Sequence, residues 1–153
     1  MQLEFESLKN DLIKEYDRLG MRASGKTANS LEVQLGLDSV KLVGDKTFEQ
    51  LEYGRGKSNN GTAPGKLIDA IKQWIQDKGI VSDIKNDRNN STLAFLITRK
   101  IHRQGWKREK HGGVELVSNI VTDKRMQGII DKVGAELALT LVSRLQQQFK
   151  AVA

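Results

Sequence analysis

The stretch LEYGRGKSNNGTAPGKLIDAIKQWIQDKGI, residues 51–80, decides the fold class because it joins two kinds of local structure. Its first part predicts an extended segment that ends at YGRG, residues 53–56, and a polar, glycine-rich loop follows. Its second part predicts a short helix, since apolar side chains recur at the spacing of one buried helical face: Leu67, Ile68, Ile71, Trp74 and Ile75. Pro64 suits the start of this helix and Gly79 its end. We therefore expect Trp74 to be buried.

Helical spacing also marks both ends and the middle of the chain. It covers residues 3–19, about 92–104 and about 126–149. In the last of these ranges, apolar residues recur every three or four positions: Ile130, Val133, Leu137, Leu141, Leu145 and Phe149. The helix at 92–104 is apolar all round at its start, which predicts a central position. Residues 114–121 are compatible with a strand or with the start of a helix.

Three strand-like runs follow the first helix, at residues 31–37, 40–43 and 47–53. Their short connections favour an antiparallel meander over crossovers. We therefore expect a single α+β domain over residues 1–153. In it, a small antiparallel sheet of three to four strands packs with N-terminal, central and long C-terminal helices.

Composition excludes several kinds of site. The chain has 153 residues and no cysteine, which removes disulfides, thiolate metal sites and cysteine nucleophiles together. No apolar run approaches the ~18 residues of a membrane span, and the N-terminus does not read as a signal peptide. His102 and His111 are nine positions apart, so we interpret both as surface histidines and expect no metal and no cofactor.

Residues 20–27, GMRASGKT, match the phosphate-binding pattern G-x-x-x-x-G-K-[ST]. That chemistry needs a buried strand before the loop and a helix after it. Here a helical pattern precedes the loop and a strand-like run follows it. The context favours a helix end at Gly20 and a polar turn, with Lys26 exposed.

Positive charge is concentrated in residues 99–111, RKIHRQGWKREKH, which hold six Lys/Arg and one Glu within a chain of net charge +6. One interpretation is contact with phosphates or an acidic protein surface, with Trp106 as the anchor. The other is a solvated helix end, where Arg99, Lys100 and Arg103 lie near C-terminal carbonyl groups. For residues 106–113 a contact loop is favoured, because a tryptophan among glycines needs burial.

Reactive groups do not converge in the sequence. The carboxylates are scattered, and Glu52 beside Tyr53 reads as a surface residue at a strand end. A Ser/His/Asp triad would have to place its histidine inside the basic stretch, which disfavours the imidazolium that general-base chemistry generates. The sequence therefore predicts a protein that is not an enzyme.

Three short motifs give the chain a resemblance to tail-completion or neck proteins of tailed bacteriophages, the small head–tail joining subunits. They are E-Y-G-x-G at Glu52–Gly56, W-I-x-x-K-G-I at Trp74–Ile80, and the AF-I-RKI---G helix at Ala94–Gly105. The resemblance spans nearly the whole chain. It departs from the family after Gly105, where such proteins tend to carry a proline-containing loop and this chain has residues 106–113.

The resemblance implies a structural virion subunit that forms a homo-oligomeric ring. Its partners would be the portal or adaptor and the tail proteins, and DNA would pass through the lumen. Sheet edges could extend across subunits. Residues expected to contact a partner, another copy or DNA are Tyr53, Arg55, Lys57, Arg99, Arg103, Trp106, Lys107, Arg108 and Lys110. The alternatives are a stand-alone basic DNA-binding protein and, less favoured, a P-loop nucleotide-binding enzyme.

Overall fold

The computed structural model describes residues 1–36, 39–58, 65–85, 90–108 and 115–152. Seven helices and two strands follow one another in these ranges, which confirms an α+β fold with a small antiparallel sheet. The elements are α1 Gln2–Arg18, α2 Lys26–Asn29, β1 Glu32–Leu35, β2 Val40–Val43, α3 Thr47–Tyr53, α4 Gly65–Asp77, α5 Ser91–Gln104, α6 Leu116–Ile120 and α7 Asp123–Val152.

The main core forms around α1. Its inner face carries Leu8, Leu12 and Tyr16 at intervals of four residues, so they project on one side and all are buried. The Tyr16 ring packs against Phe48 of α3 with ring centroids 6.1 Å apart. The buried cluster draws on α1, α2, α3, α6 and the residues before β1: Leu12, Tyr16, Met21, Ala28, Leu31, Phe48, Leu51 and Leu116.

The two predicted strands at 31–37 and 40–43 are present as β1 and β2, an antiparallel pair with Glu32 opposite Val43 and Leu35 opposite Val40. The third predicted strand, residues 47–53, is wrong, because this segment is helix α3. A hydrogen bond of 2.8 Å from the Thr47 amide to Asp45 Oδ1 supports the helix by satisfying one of the free amide groups of its first turn. In the described part of the chain the sheet therefore has two strands.

Helices α4 and α5 pack against each other. Ile75 of α4 is fully buried there, whereas Trp74 is 39 % exposed. Consecutive residues of a helix lie about 100° apart, so with Ile75 at the centre of the face Trp74 lies at its edge. The prediction that Trp74 is buried is wrong. Gly79 ends α4 as expected, with φ +65° and the Ile80 amide bonded to the Ile75 carbonyl at 3.0 Å.

Three other predictions have clear outcomes. Helix α5 begins at Ser91, but Phe95 and Leu96 on its first turns are exposed, so it is not covered on all sides as predicted. The ambiguous segment 114–121 contains helix α6, and Val114 lies outside the described residues. Pro64 lies outside them too.

The long C-terminal helix is present as α7, and most of the apolar residues that recur along it are exposed. Ile129 is buried near the start of the helix, and every residue from Gly134 to Lys150 is exposed. No helix in the described residues, α7 included, combines the length and the hydrophobicity needed to cross a bilayer.

Candidate interaction surface

Helices α3 and α5 end in the same way, and their ends join. Gly54 follows α3 with φ +77°, Gly105 follows α5 with φ +75°, and both have ψ near 180°. The next residues, Arg55 and Trp106, exchange two antiparallel backbone hydrogen bonds of 2.7 Å each. A third bond of 2.9 Å runs from the Ser58 amide to the His102 carbonyl. We call residues 53–58 and 102–107 the clasp.

Glycine is required on both sides of the clasp. A Cβ atom added at Gly54 would overlap the carbonyl oxygen of Trp106, and one added at Gly105 would overlap the carbonyl oxygen of Arg55. Both positive φ angles are also costly for residues with a side chain. The two glycines therefore let two backbones approach at hydrogen-bonding distance, and they fix the relative position of α3 and α5.

The clasp brings together basic residues that are about 45 positions apart in the sequence. Arg99 and Arg103 are four residues apart on α5, so they lie on the same helix face, and both are exposed. At the end of that helix the clasp adds Lys57, exposed, and Arg55, half-buried. The exposed ring of Tyr53 lies at the end of α3 beside them.

The sequence leaves this surface without nearby acids. No Asp or Glu occurs in residues 53–68 or in residues 91–108. Within the described ranges, no ion pair is formed by Arg55, Lys57, Arg99, Lys100 or Arg103. Positive charge therefore accumulates on one side of the molecule, which favours binding of an anionic surface.

Three of the predicted contact residues have neighbours within their own chain. The Trp106 side chain is half-buried against the main core, so its burial needs no partner. The Arg108 guanidinium donates a hydrogen bond of 2.5 Å to the carbonyl of Leu19 at the end of α1, and burial lowers its pKa. The Lys107 side chain lies beside Gly54. Lys110 lies outside the described residues.

Glu52 has a structural role that the sequence did not reveal. It is buried, not exposed at a strand end as predicted, and its carboxylate accepts hydrogen bonds from the amides of Val117 at 2.6 Å and Ser118 at 3.1 Å. The Ser118 hydroxyl donates a further bond to it. Glu52 thus caps the N-terminus of α6 from a distant part of the chain. The spacing of Phe48, Leu51 and Glu52, typical of one helical face, was the available signal.

His102 was predicted to be a surface residue, and this prediction is wrong: it is 6 % exposed on the inner face of α5, one turn after the buried Thr98. Within the described ranges, Thr98 Oγ1 and His102 Nδ1 have no hydrogen-bond partner. No three His, Asp or Glu side chains in those ranges converge as metal ligands do. His111 lies outside them.

The segment Gly20–Thr27 runs from the end of α1 into the short helix α2, so a helix precedes it where a phosphate-binding loop needs a strand. Gly20 and Gly25 both have positive φ, and Lys26 begins α2 with its side chain exposed. Arg22 in this segment is paired with Asp17, at 2.6 and 2.9 Å, which places an acid beside the turn. The exposed position predicted for Lys26 is confirmed.

The clasp offers cations and an exposed aromatic ring, which can hold phosphates or an acidic protein surface by charge. Comparisons with protein-family models, curated proteins and solved structures find no match to this chain.

Proposed function

We propose that this chain is a structural subunit of the tailed-phage neck, where it forms a homo-oligomeric ring that joins portal or adaptor to tail around the DNA channel. Its place of action is the virion, and it needs no cofactor and catalyses no reaction. One observation carries the proposal: the clasp joins two of the motifs behind the resemblance, Glu52–Gly56 and Ala94–Gly105, at one backbone contact. Residues that look unrelated in the sequence thus act as one unit.

The charge of the clasp and of the adjoining face of α5 suits a ring around DNA. DNA presents a dense row of phosphates, and a lumen that lets DNA slide needs attraction without base recognition. Arg55, Lys57, Arg99 and Arg103 supply that attraction. The packed side of α5 faces α4, and its exposed side carries Arg99 and Arg103 together with Phe95 and Leu96.

The small sheet supports ring closure. In the described part of the chain β1 and β2 pair only with each other, so each keeps one open edge. An open edge is a template for a strand of a neighbouring subunit, and a repeated head-to-tail contact closes a ring when its rotation closes. Edge pairing would bring the sheet to three or four strands in the assembled ring.

The first test examines assembly. Negative-stain images of the purified chain mixed with portal, adaptor or tail proteins of a tailed phage should show closed rings of many copies. A chain that never forms a ring under any of these conditions contradicts the proposal.

The second test separates a neck subunit from a stand-alone DNA-binding protein. We expect duplex DNA to bind with Kd of ~10⁻⁴–10⁻⁶ M and to weaken steeply with salt. Changing Lys57, Arg99 and Arg103 to Glu should abolish binding. The control changes Lys41, Lys46 and Lys124 to Glu; these lysines are exposed outside the clasp, and the net charge falls equally, from +6 to zero.

Equal loss in both triple variants would show a general charge effect and contradict a role for the clasp. Nanomolar, sequence-selective binding at physiological salt would establish the DNA-binding alternative instead.

A further inference from the structure

The C-terminal half of α7 carries an apolar surface that the rest of the chain leaves open. From Gly134 to Lys150 every residue is exposed. The large apolar side chains there are between 51 % and 75 % exposed: Leu137, Leu139, Leu141, Val142, Leu145 and Phe149. Most helices in proteins owe their stability to packing of an apolar face, so this length of helix is expected to have a partner.

The open face lies on the side of α7 that points away from α1. The α1 side is marked by the buried Ile129 and by ion pairs of Arg125 with Asp11 at 2.6 Å and Lys132 with Glu4 at 2.8 Å. Consecutive helix residues are about 100° apart, so Arg125, Ile129 and Lys132 lie on one side of α7. An apolar stripe lies on the opposite side, about 180° away. That stripe consists of Ile130, Gly134, Leu137, Ala138, Leu141, Val142, Leu145 and Phe149. Helix α1 therefore cannot cover it.

The stripe is complementary to itself in antiparallel orientation. When Leu141 is set opposite Ala138 of a second copy, Leu145 falls opposite Gly134 and Phe149 falls opposite Ile130. Leu137 then faces Val142, so every stripe position meets an apolar position, and the two smallest residues meet large ones. Facing positions that alternate large and small are what interdigitated helix packing requires. Gly134 has open space where a Cβ would be, which leaves room for the leucine.

The size of the stripe is sufficient for a stable pair. Ile130 to Phe149 spans about 30 Å at 1.5 Å per residue, and half the surface of a helix of that length is about 600 Å². Two copies would bury about 1,200 Å² in total, the lower end of the range for specific, stable interfaces. No charged residue lies within the stripe, and the two charges between Gly134 and Phe149, Glu136 and Arg144, are of opposite sign. Self-pairing therefore meets no like-charge repulsion in the stripe.

We propose that the apolar stripe of α7 binds the same stripe of a second copy of this chain, antiparallel, with a two-fold axis between Ala138 and Leu141. This contact is isologous and makes dimers. It goes beyond the proposed function, since the ring contact is head-to-tail and uses other surfaces.

Light scattering of the purified chain tests the pairing directly. The parent should have the mass of two chains at micromolar concentration. Leu141→Lys should have the mass of one chain, because its charge would face an apolar residue. The matched control is Leu139→Lys, which places the same charge on an exposed leucine outside the stripe and should keep the mass of two. A parent of one chain at ~100 μM, or dissociation of both variants alike, would overturn the proposal.

Cross-linking tests the register, which is convenient because the chain has no cysteine. Under oxidising conditions a mixture of Ala138→Cys and Leu141→Cys chains should form the mixed disulfide dimer, since these positions face each other across the pair. A mixture of Thr140→Cys and Ser143→Cys, with the same spacing outside the stripe, should not. Rapid dimerisation of Ala138→Cys alone would indicate parallel pairing and contradict the two-fold model. Loss of pairing in Leu141→Lys with DNA binding retained would separate this contact from the clasp.

Discussion

Helix α1 and the C-terminal half of α7 have similar apolar periodicity, but the apolar face of α1 is buried and that of α7 is exposed. Helix α1 buries Leu8, Leu12 and Tyr16 against α2, α3 and α6, and its ends are held by distant residues: Lys132 at Glu4 and Arg108 at the Leu19 carbonyl. The half of α7 after Val133 buries none of its leucines. The comparison teaches that periodicity identifies an apolar face but does not identify what covers it.

The largest expected difference between the two regions comes from cutting one leucine in each. Leu12 is 2 % exposed and Leu141 is 59 % exposed. Leu12→Ala should lower the free energy of unfolding by about 2–5 kcal/mol, because it leaves a cavity in the main core. Leu141→Ala should change it by less than about 0.5 kcal/mol when the protein is dilute enough to be a single chain. Urea unfolding followed by circular dichroism measures both.

If Leu141→Ala lowered the free energy of unfolding of dilute protein nearly as much as Leu12→Ala does, α7 would have to pack within its own chain. The contrast between the two helices would then be wrong.

The clasp should be the next most sensitive part of the packed region. Gly105→Ala places a methyl group on the Arg55 carbonyl at a positive φ, and we expect a loss of about 3 kcal/mol. Gly79→Ala is the control: its φ is +65° but a Cβ there meets open space, so the loss should be about 1 kcal/mol. Thermal unfolding of both variants gives the comparison. Equal losses of stability in the two variants would show that the cost comes from the positive φ angle alone. The two backbones of the clasp could then move apart without further cost.

The next largest effect on stability is expected from changing the buried carboxylate of Glu52. Glu52→Gln keeps the shape but replaces one acceptor oxygen with an amide that meets the donors of Val117 and Ser118. Leaving buried groups unpaired costs about 2–3 kcal/mol, so this is the expected loss of stability in chemical denaturation. Glu49→Gln on the exposed side of the same helix should cost less than about 0.5 kcal/mol. If Glu52→Gln left the stability unchanged, the capping role assigned to the carboxylate would be wrong.

Local patterns in the sequence predicted what depends on neighbours along the chain. Helix α1, the pairing of β1 with β2, the end of α4 at Gly79 and the existence of α7 all follow from periodicity or turn residues. The strand predicted at 47–53 was wrong because a seven-residue segment is too short to distinguish the helical period from the strand period. In the structure the Asp45 carboxylate accepts a hydrogen bond from the first amide of this helix.

The site depended on contacts between distant segments, which no local pattern contains. Tyr53, Arg55 and Lys57 were selected with Arg99 and Arg103 because all lie in glycine-rich or basic stretches. That Arg55 pairs with Trp106, or that Glu52 caps α6, requires the fold itself. The same holds for Arg108, whose charge suggested a partner outside the chain but serves α1.

The start of α3 gives the packed region a dependence on pH. The Thr47 hydroxyl and amide hold the pKa of Asp45 below its ordinary value, so the folded state binds this proton less readily than the unfolded state. Its contribution is therefore complete above the ordinary pKa of about 4 and is lost as pH falls through the lower folded value. Asp45→Ala should cost about 1 kcal/mol at pH 7, the usual net contribution of one intramolecular hydrogen bond. As pH falls below that ordinary value the cost should diminish, because the parent then loses the charge as well. Denaturant unfolding at pH 7 and at the lowest pH that preserves the fold measures the difference, and a cost that is independent of pH would contradict this assignment.

The smallest effect is expected at Lys26, in the turn that leads from the packed α1 to β1. Its side chain is exposed, and the segment before it is a helix, so the turn lacks the strand–loop–helix order in which backbone amides surround a phosphate. Lys26→Ala should change the free energy of unfolding by less than about 0.5 kcal/mol, the usual range for exposed positions. Calorimetric titration with ATP or GTP, with and without Mg²⁺, should give no saturable heat in the parent or in the variant. Lys46→Ala, an exposed lysine outside the motif, serves as the matched control. Saturable, Mg²⁺-dependent binding that the parent and Lys46→Ala share and Lys26→Ala lacks would establish a nucleotide site in this turn. The main core would then have a role beyond holding the clasp and the base of α7.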